Sequence, residues 1–586
     1  MAVSFNSHDN SSVPIDDQNE SKELKVTIDG AVDNLVNGLK DGEFLPWKAG
    51  RREWLIVLDL VAVALVVALD ATILVPALPS IAVSLNATTT QTFWIGASYL
   101  LVSAVVQPFI VNLSDIFGRR PVLLSNIGIF TIGTIICCVT NNFAVFITGR
   151  SIQGVGGGGS FALVSVILAD IIPLRQRAQY QAITSLAWSF SVITGPLIGG
   201  LFSQYTTWRW CFYINFPFCF FAFVMTSLVV KLNIDRQPMT LKAKALSIDW
   251  IGAFLFIASA CSFLIGIMWG GSQYAWSSLQ TILPIVLGTL GLILCLFWEA
   301  HGATQPFFRL SLFRSRTSNA AYFCTFLQGL LTFCLLYYLP FYFQACKDSS
   351  TTISGLNLMA ITIGLAISGV GSGVLLTKLG RYRWVLVQGW VLMILGHGLL
   401  ILLDVNIPSS HWIPIFILVG ISHGPTMMGV IVCIQAASPK EDVSYAASVY
   451  TFMRSLGQSV GVAIGATVFQ NTMAHHLRTY SLPTTIANDA EEFVSVLKHM
   501  PLESPERKLY TSAYAQSFRN LFEVLTGFAV LGMLTSLLIK ECSMNRNLES
   551  VHVLQTRMDN SPEAGLERTP SERPETEESK GEEKGE

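Results

Sequence analysis

Of 586 residues, 51% are hydrophobic and only 13% charged, with 37 Lys and Arg against 39 Asp and Glu for a net charge of −2. Soluble globular domains carry about 25% charged residues, so the composition excludes an ordinary water-soluble enzyme and points to lipid as the solvent. The near-neutral balance leaves no electrostatic case for a nucleic-acid partner.

Residues 1–50 are polar and lack an apolar stretch of signal-peptide length, so they are expected to form a disordered cytosolic tail. A membrane span takes about 20 mostly apolar residues. About fourteen such stretches follow, beginning near Trp54, Thr92, Pro121, Phe143, Ala178, Trp208, Ile248, Leu279, Asn319, Ile353, Trp384, Trp412, Ser444 and Asn520. All are expected to be helices, because no water is present there to satisfy an open backbone. Short-loop cations alternate in sidedness. Lys48, Arg51 and Arg52 precede span one, Arg119 and Arg120 follow span two, Arg175 and Arg177 span four, and Lys231, Arg236, Lys242 and Lys244 span six. Arg309, Arg314 and Arg316, then Lys378, Arg381 and Arg383, then Lys440 continue the series, while the opposite loops offer little beyond Lys347. The positive-inside rule puts both termini in the cytosol, which requires an even number of spans.

Span one carries Asp70, about sixteen residues past Trp54, and span four carries Arg150, about eight residues past Phe143. Charges at mid-helix cost on the order of 2.5 to 3.5 kcal/mol on insertion scales and normally face a bundle interior or a wet cavity. A carboxyl that alternates between a dry site and one beside a cation loads and releases a proton, so Asp70 and Arg150 are the expected proton-coupling pair. A fixed, permanently ionised structural pair is the alternative. Asn86 opens an N-A-T sequon after span one, in an outer loop of about a dozen residues that is short for glycosylation. Span two holds Gln107, and the loop after it holds Asp115, Gly118, Arg119 and Arg120 at the cytosolic surface.

Span four also contains "RSIQGVGGGGSF", residues 150–161, whose Gly154, Gly156 and Gly159 satisfy the G-x-G-x-x-G spacing of a dinucleotide-binding turn. That motif requires a preceding strand and an acidic residue about 20 positions on. Here the glycines lie inside a long apolar run, and the corresponding window reads "RQRAQY". Gly154, Gly156, Gly157, Gly158 and Gly159 are instead expected to form a flat face for backbone-to-backbone helix packing. "GPLIGG" in span five, with Gly195, Pro196, Gly199 and Gly200, makes a second such face, loosened by the donor that Pro196 lacks.

Gln107, Gln153, Tyr338, Gln344 and Asn357 are candidate linings of a central substrate cavity. Asp59, His397 and His423 are read as packing residues, and Arg454 as a structural anchor near the cytosolic end of span thirteen. The segment 471–519 is too long for a hairpin and is expected to be an external loop. In it Phe493, Val496, Leu497 and Met500 share one helical face, which suggests a helix on the membrane surface or over the pathway. Residues 543–586 are acidic, with Ser561 and Thr569 before prolines as candidate phosphorylation sites, and are expected to be disordered. The eleven cysteines lie almost all in apolar runs and read as core residues, not a disulfide framework. No metal spacing, phosphate loop or catalytic triad is visible, so neither cofactor, metal nor enzymatic activity is expected.

The halves echo one another: "VNLSDIFGRRPV" after span two aligns with "GVLLTKLGRYRW" after span ten, matching Leu113 with Leu375, Gly118 with Gly380 and Arg119 with Arg381. That places a six-helix bundle at 51–232, two extra spans at 245–300 and a second six-helix bundle at 317–541.

With "LDATILVPALP", "SDIFGRRPVL", "RSIQGVGGGG" and "GPLIGG" in this order, and "WRWCFYINFP", "DWIG", "GGSQYAW" and "RSLGQSVGVAIG" behind them, the chain resembles the major facilitator superfamily. Within it the likeness is to the fourteen-span drug:proton antiporters of fungal toxin and multidrug efflux type, over about residues 50–545. Two positions depart from the loop motif: Val111 stands where the family has glycine and Ile116 where it has a basic residue. The resemblance implies an all-α membrane fold of two six-helix bundles working by alternating access. It also implies a gating latch at Asp115, Gly118, Arg119 and Arg120, and a bend in "GPLIGG" that limits leak. The expected activity is proton-driven export of small organic compounds such as toxins, secondary metabolites and drugs, by a monomer in the plasma membrane. A charged substrate would need more cavity charge than Asp70 and Arg150 supply, which favours neutral or weakly charged solutes. A vacuolar or uptake permease for amino acids or siderophores remains open, as does a non-transporting membrane sensor.

Overall fold

A computed structural model of the protein describes residues 49–544, apart from 88, 235–239, 272, 304, 305, 488 and 502, together with 552–554. The expected tails at 1–50 and 543–586, including Ser561 and Thr569, fall outside the described residues save for their inner edges and one short strand.

The fold is a helical membrane bundle. The first six spans are α1 (Arg51–Ile73), α2 (Thr89–Phe117), α3 (Arg119–Val139), α4 (Phe143–Ile171), α5 (Leu174–Tyr205) and α6 (Asn215–Val229). Then come α7 (Trp250–Trp269) and α8 (Leu279–His301). The second half is α9 (Arg316–Cys346), α10 (Met359–Leu379), α11 (Arg383–Leu400), α12 (Ser409–Ala437), α13 (Val443–Thr479), the short α14 (Ala490–His499) and α15 (Pro505–Ser536). Among the described residues, thirteen helical segments are long and apolar enough to cross a membrane, with α6 extended back to Trp210 and α10 to Thr352. The remaining long one, α13, is 37 residues and is diluted by Ser, Gln, Asn, His and Arg454, yet it packs against α9, α15 and α2 as a span would. The start positions agree with the hydropathy reading except at the end. There α13 runs on to Thr479 and the last helix begins at Pro505, not near Asn520, so only 480–504 separates them. Both helices continue past the apolar stretch as polar overhangs, which hydropathy does not register.

Gly118 and Gly380, the paired glycines of the internal echo, both adopt positive φ (102° and 64°), a conformation that side chains resist. The repeated turn between spans two and three, and between ten and eleven, is what the repeated glycine serves. The halves meet along two seams, α5 against α10 and α2 against α13. Along the second lies α7, whose Trp250 lies tilted beside Phe109 of α2 and whose Phe256 packs against Phe452 of α13. Leu232–Ile234 (β1) pairs antiparallel with His552–Leu554 (β2), placing a piece of the segment expected to be disordered beside the loop after α6. The cysteines form no disulfide, and nine of the eleven are buried.

The helix of the outer segment is α14. It buries Ala490, Val494 and Leu497 while Val496 is half exposed, so its buried face is rotated from the one expected. That face sits on the protein: Phe493 packs on Tyr510 at 4.9 Å, and the Tyr514 hydroxyl donates to Ala490 O at 2.6 Å.

Candidate functional site: a buried ion cluster and a central cavity

The last turn of α1 delivers Asp70 to a point two turns into α4, roughly 10 Å from the end of that helix. Arg150 Nη1 lies 2.7 Å from Asp70 Oδ2, and neither side chain is more than 1% exposed. Gln153 and Asn215 donate to Oδ1 at 2.7 and 2.9 Å. Gln153 also accepts from Arg150 at 2.7 Å and donates to Thr134 at 2.9 Å, so one amide ties α1, α3 and α4 together. Arg150 donates further to Ile95 O at 3.2 Å and lies 4.5 Å above the Tyr99 ring. Among the described residues, the side chains bonded to the carboxylate, Arg150, Gln153 and Asn215, all act as donors.

Glycine makes this closeness possible. A methyl group on Gly156 would strike the α3 backbone at Phe130 and Asn126, and one on Gly158 would strike Ser103 of α2. The glycine run therefore packs two helices at backbone distance, one on each side. Gly195 and Gly199 of α5 meet α1 in the same way at Thr72 and Ile73, two and three residues beyond Asp70, whereas Gly200 has room for a side chain. Thr72 donates to Ser191 O across this contact at 2.9 Å.

At the end of the bundle that carries the loop cations, Arg119 pairs with Asp115 at 2.5 Å and with Asp170 at 2.8 Å while almost wholly buried. Arg120 donates to Ser227 O. The network crosses to the second half: Ser444 donates to Asp170 at 3.1 Å, Arg177 to Gln435 at 2.9 Å, and Arg175 to Thr377 O at 3.0 Å. Asp442 holds both Arg309 and Ser311 there, and the Arg309 guanidinium lies 4.0 Å above the Tyr445 ring. At the opposite end the halves approach through small surfaces, Pro196 against Gly355 and Gly200 near Thr352. Asp170, Gln435 and Ser444 were not singled out from the sequence. Asp170 was the findable one, an acid closing an apolar run beside a loop of cations.

Between the halves lies a cavity walled by Ser185, Trp188 and Ser189 of α5, Gly369 of α10 and Met427 of α12, with Arg454 of α13 in its lining. Arg454 is eleven residues past Val443, roughly 16 Å along the helix, so it lies in the first third of α13 and lines the cavity from there.

The expected cavity residues do not converge. Gln153 belongs to the Asp70 cluster. Gln107 bridges the halves by donating to Ser455 at 3.1 Å. Tyr338 is packed among Phe341 and Phe469, and neither Gln344 nor Asn357 lines the cavity around Arg454. Asp59 is fully buried, accepting from Thr226 at 2.8 Å. His397 and His423 lie 5.7 Å apart, against Met393 O and Thr332 respectively. Asn86 is exposed in a left-handed turn, φ 49°, directly between helices.

The family profile described as Major Facilitator Superfamily matches residues 60–462. The MFS transporter L2 of a Phoma species is 36% identical over 497 residues, covering 84% of this chain and 83% of that protein. The efflux pump FUS6 of Gibberella fujikuroi is 34% identical over 526 residues, covering 88% and 94%. Among solved structures, that of the human organic anion transporter MFSD10 aligns with 83% of this chain and all of its own at a TM-score of 0.54 and 16% identity, a likeness of fold alone.

Proposed function

Because the chain belongs to the major facilitator superfamily, we propose that it is an efflux transporter that expels small organic compounds in exchange for protons. It works as a monomer in the plasma membrane with both termini in the cytosol. The observation that carries the reading is the Asp70 cluster: a carboxylate sealed in the membrane region, saturated with donors and one helix contact away from the mobile seam between the halves.

In the conformation described, the bundle is tied at its basic end and Asp70 is held by Arg150. Alternating access requires that tie to open. α5 participates in it through Arg175 and Arg177, and the same helix rests on α1 beside Asp70. A shift of α5 therefore disturbs the position of α1 against Arg150. A carboxylate drawn off its cation in a dry site takes up a proton, and its return to Arg150 expels it. With the termini cytosolic, the cluster lies near the outer surface, where the inward proton gradient begins. Each charge crossing 100 mV supplies about 2.3 kcal/mol.

The test is export from reconstituted vesicles under an imposed pH gradient. Asp70→Asn keeps the shape of the side chain and cannot ionise. It is expected to abolish uphill, uncoupler-sensitive export while substrate binding persists. Uphill accumulation equal to that of the unmodified protein would place the coupling proton elsewhere.

A further inference from the structure

Five arginines are deeply buried among the described residues, and four are fully engaged. Arg119, Arg150, Arg177 and Arg507 each have acceptors within 3.2 Å. Arg454 differs. It is 6% exposed, its Nε has no hydrogen-bond partner, and no acidic side chain pairs with it among the described residues. The hydroxyl of Tyr450, one turn back on the same helix, and the imidazole of His423 on α12 are groups that face it. An uncompensated guanidinium in the membrane region is costly to bury, and such charges normally find a partner or a pathway. Arg454 lies in the lining of the cavity between the halves, where the surrounding wall is Trp188, Met427 and Met428 with the hydroxyls of Ser185 and Ser189; its volume of about 20 Å³ in this conformation admits a head group at most, and a larger body enters only when the halves part.

We infer that Arg454 is the binding residue for an anionic head group, and that the compounds moved are amphipathic organic acids: a planar, delocalised oxyanion such as a carboxylate or acidic enol on a largely apolar body. The fork of the guanidinium presents paired donors that match two oxygens held in one plane, which an ammonium cannot do. Trp188 offers a flat face to an unsaturated ring system, and the two methionines adapt to bodies of different outline. The proposal rests on the transporter reading above, and it revises the expectation that cavity charge is too sparse for an acidic solute. The charge was counted at Asp70 and Arg150, which satisfy one another, whereas Arg454 has no acidic partner among the described residues.

The experiment measures direct binding of 2-naphthoate and of its neutral isostere 2-naphthamide to the full chain in lipid nanodiscs. The unmodified protein is expected to prefer the carboxylate by at least about tenfold, the factor that about 1.4 kcal/mol represents. Arg454→Gln should erase the preference by weakening naphthoate and leaving naphthamide unchanged. Arg454→Lys should keep only part of it. Neither variant should melt appreciably below the unmodified protein, since no acidic partner is left stranded. Equal binding of the two probes by the unmodified protein overturns the anion claim. A carboxylate preference that survives in Arg454→Gln overturns the residue, and a lowered melting temperature returns Arg454 to a structural role. Vesicle transport run in parallel separates the two readings. Gradient-driven movement of naphthamide without preference for naphthoate removes the anchor and leaves the exporter standing. Selective naphthoate binding with no transport of any compound tested removes the exporter and leaves the site.

Discussion

If Asp70 and Arg150 act as one unit, their substitutions must be strongly non-additive. Arg150→Met keeps most of the side-chain volume and removes the charge, so Asp70 is left with Gln153 and Asn215 alone. Breaking a buried pair from one side costs about 3–5 kcal/mol, and the two remaining amide donors favour the lower end, about 3 kcal/mol. Asp70→Asn strands Arg150 in turn, with Gln153 and Ile95 O as its remaining acceptors, and the same range applies. The double variant leaves no uncompensated charge, and replacing a buried pair by neutral groups is often close to neutral. Its cost is therefore expected to fall short of the summed single costs by at least about 2 kcal/mol, within the range of measured coupling energies. Unfolding in mixed micelles, titrated with SDS and followed by tryptophan fluorescence, reads the four corners of the cycle. Costs that add to within about 0.5 kcal/mol would mean that the 2.7 Å contact carries no energetic interaction, and the coupling argument would fall with it.

Two further outcomes follow from the packing. Gly156→Leu and Gly158→Leu should each abolish folding or surface expression, because the added side chain meets backbone of α3 and α2 that cannot yield; normal expression and transport in both would remove the packing role. Asp115→Asn weakens the partner of Arg119 at the basic end while Asp170 remains. It should leave expression and substrate affinity intact and slow turnover several-fold. Lost affinity with unchanged conformational exchange would assign Asp115 to substrate instead.

Much of the fold was legible because the membrane imposes its own ruler. The positions where reading stopped short are those where a polar residue has two possible neighbourhoods. Asp70 and Arg150 stood out as lone charges of opposite sign in two apolar runs, and each had few places to go. Gln153 did not: an amide suits a cavity wall and an ion cluster equally well, and only the packing of α4 on α3 through Gly156 decides that it faces Asp70. Asn215 and Asp170 were hidden similarly, one among the aromatics of "WRWCFYINFP" and one at a helix end. Arg454 was legible in position, toward the start of α13, but not in surroundings: the sequence does not show that Trp188 and Ser189 of α5 stand across a cavity from it.

Three separate observations converge on α5. Its start holds Arg175 and Arg177, which tie the halves at the basic end. Its middle supplies Ser185, Trp188 and Ser189 to the cavity wall. Beyond that, Gly195 and Gly199 press on Thr72 and Ile73 next to Asp70. A helix of 32 residues spans about 48 Å, and an unbroken hydrogen-bond ladder would move all three regions as one rod. Pro196 interrupts that ladder, since it has no N–H to donate to Val192 O. The break falls between the contacts at Gly195 and Gly199. The basic-end tie, the cavity wall and the contacts of Ser191 and Gly195 with Thr72 therefore share one segment, while the contact of Gly199 with Ile73 lies beyond it. A substrate in the cavity would therefore press on the helix that also carries the basic-end tie and the contact with α1, which is the route the proposed coupling to Asp70 would take.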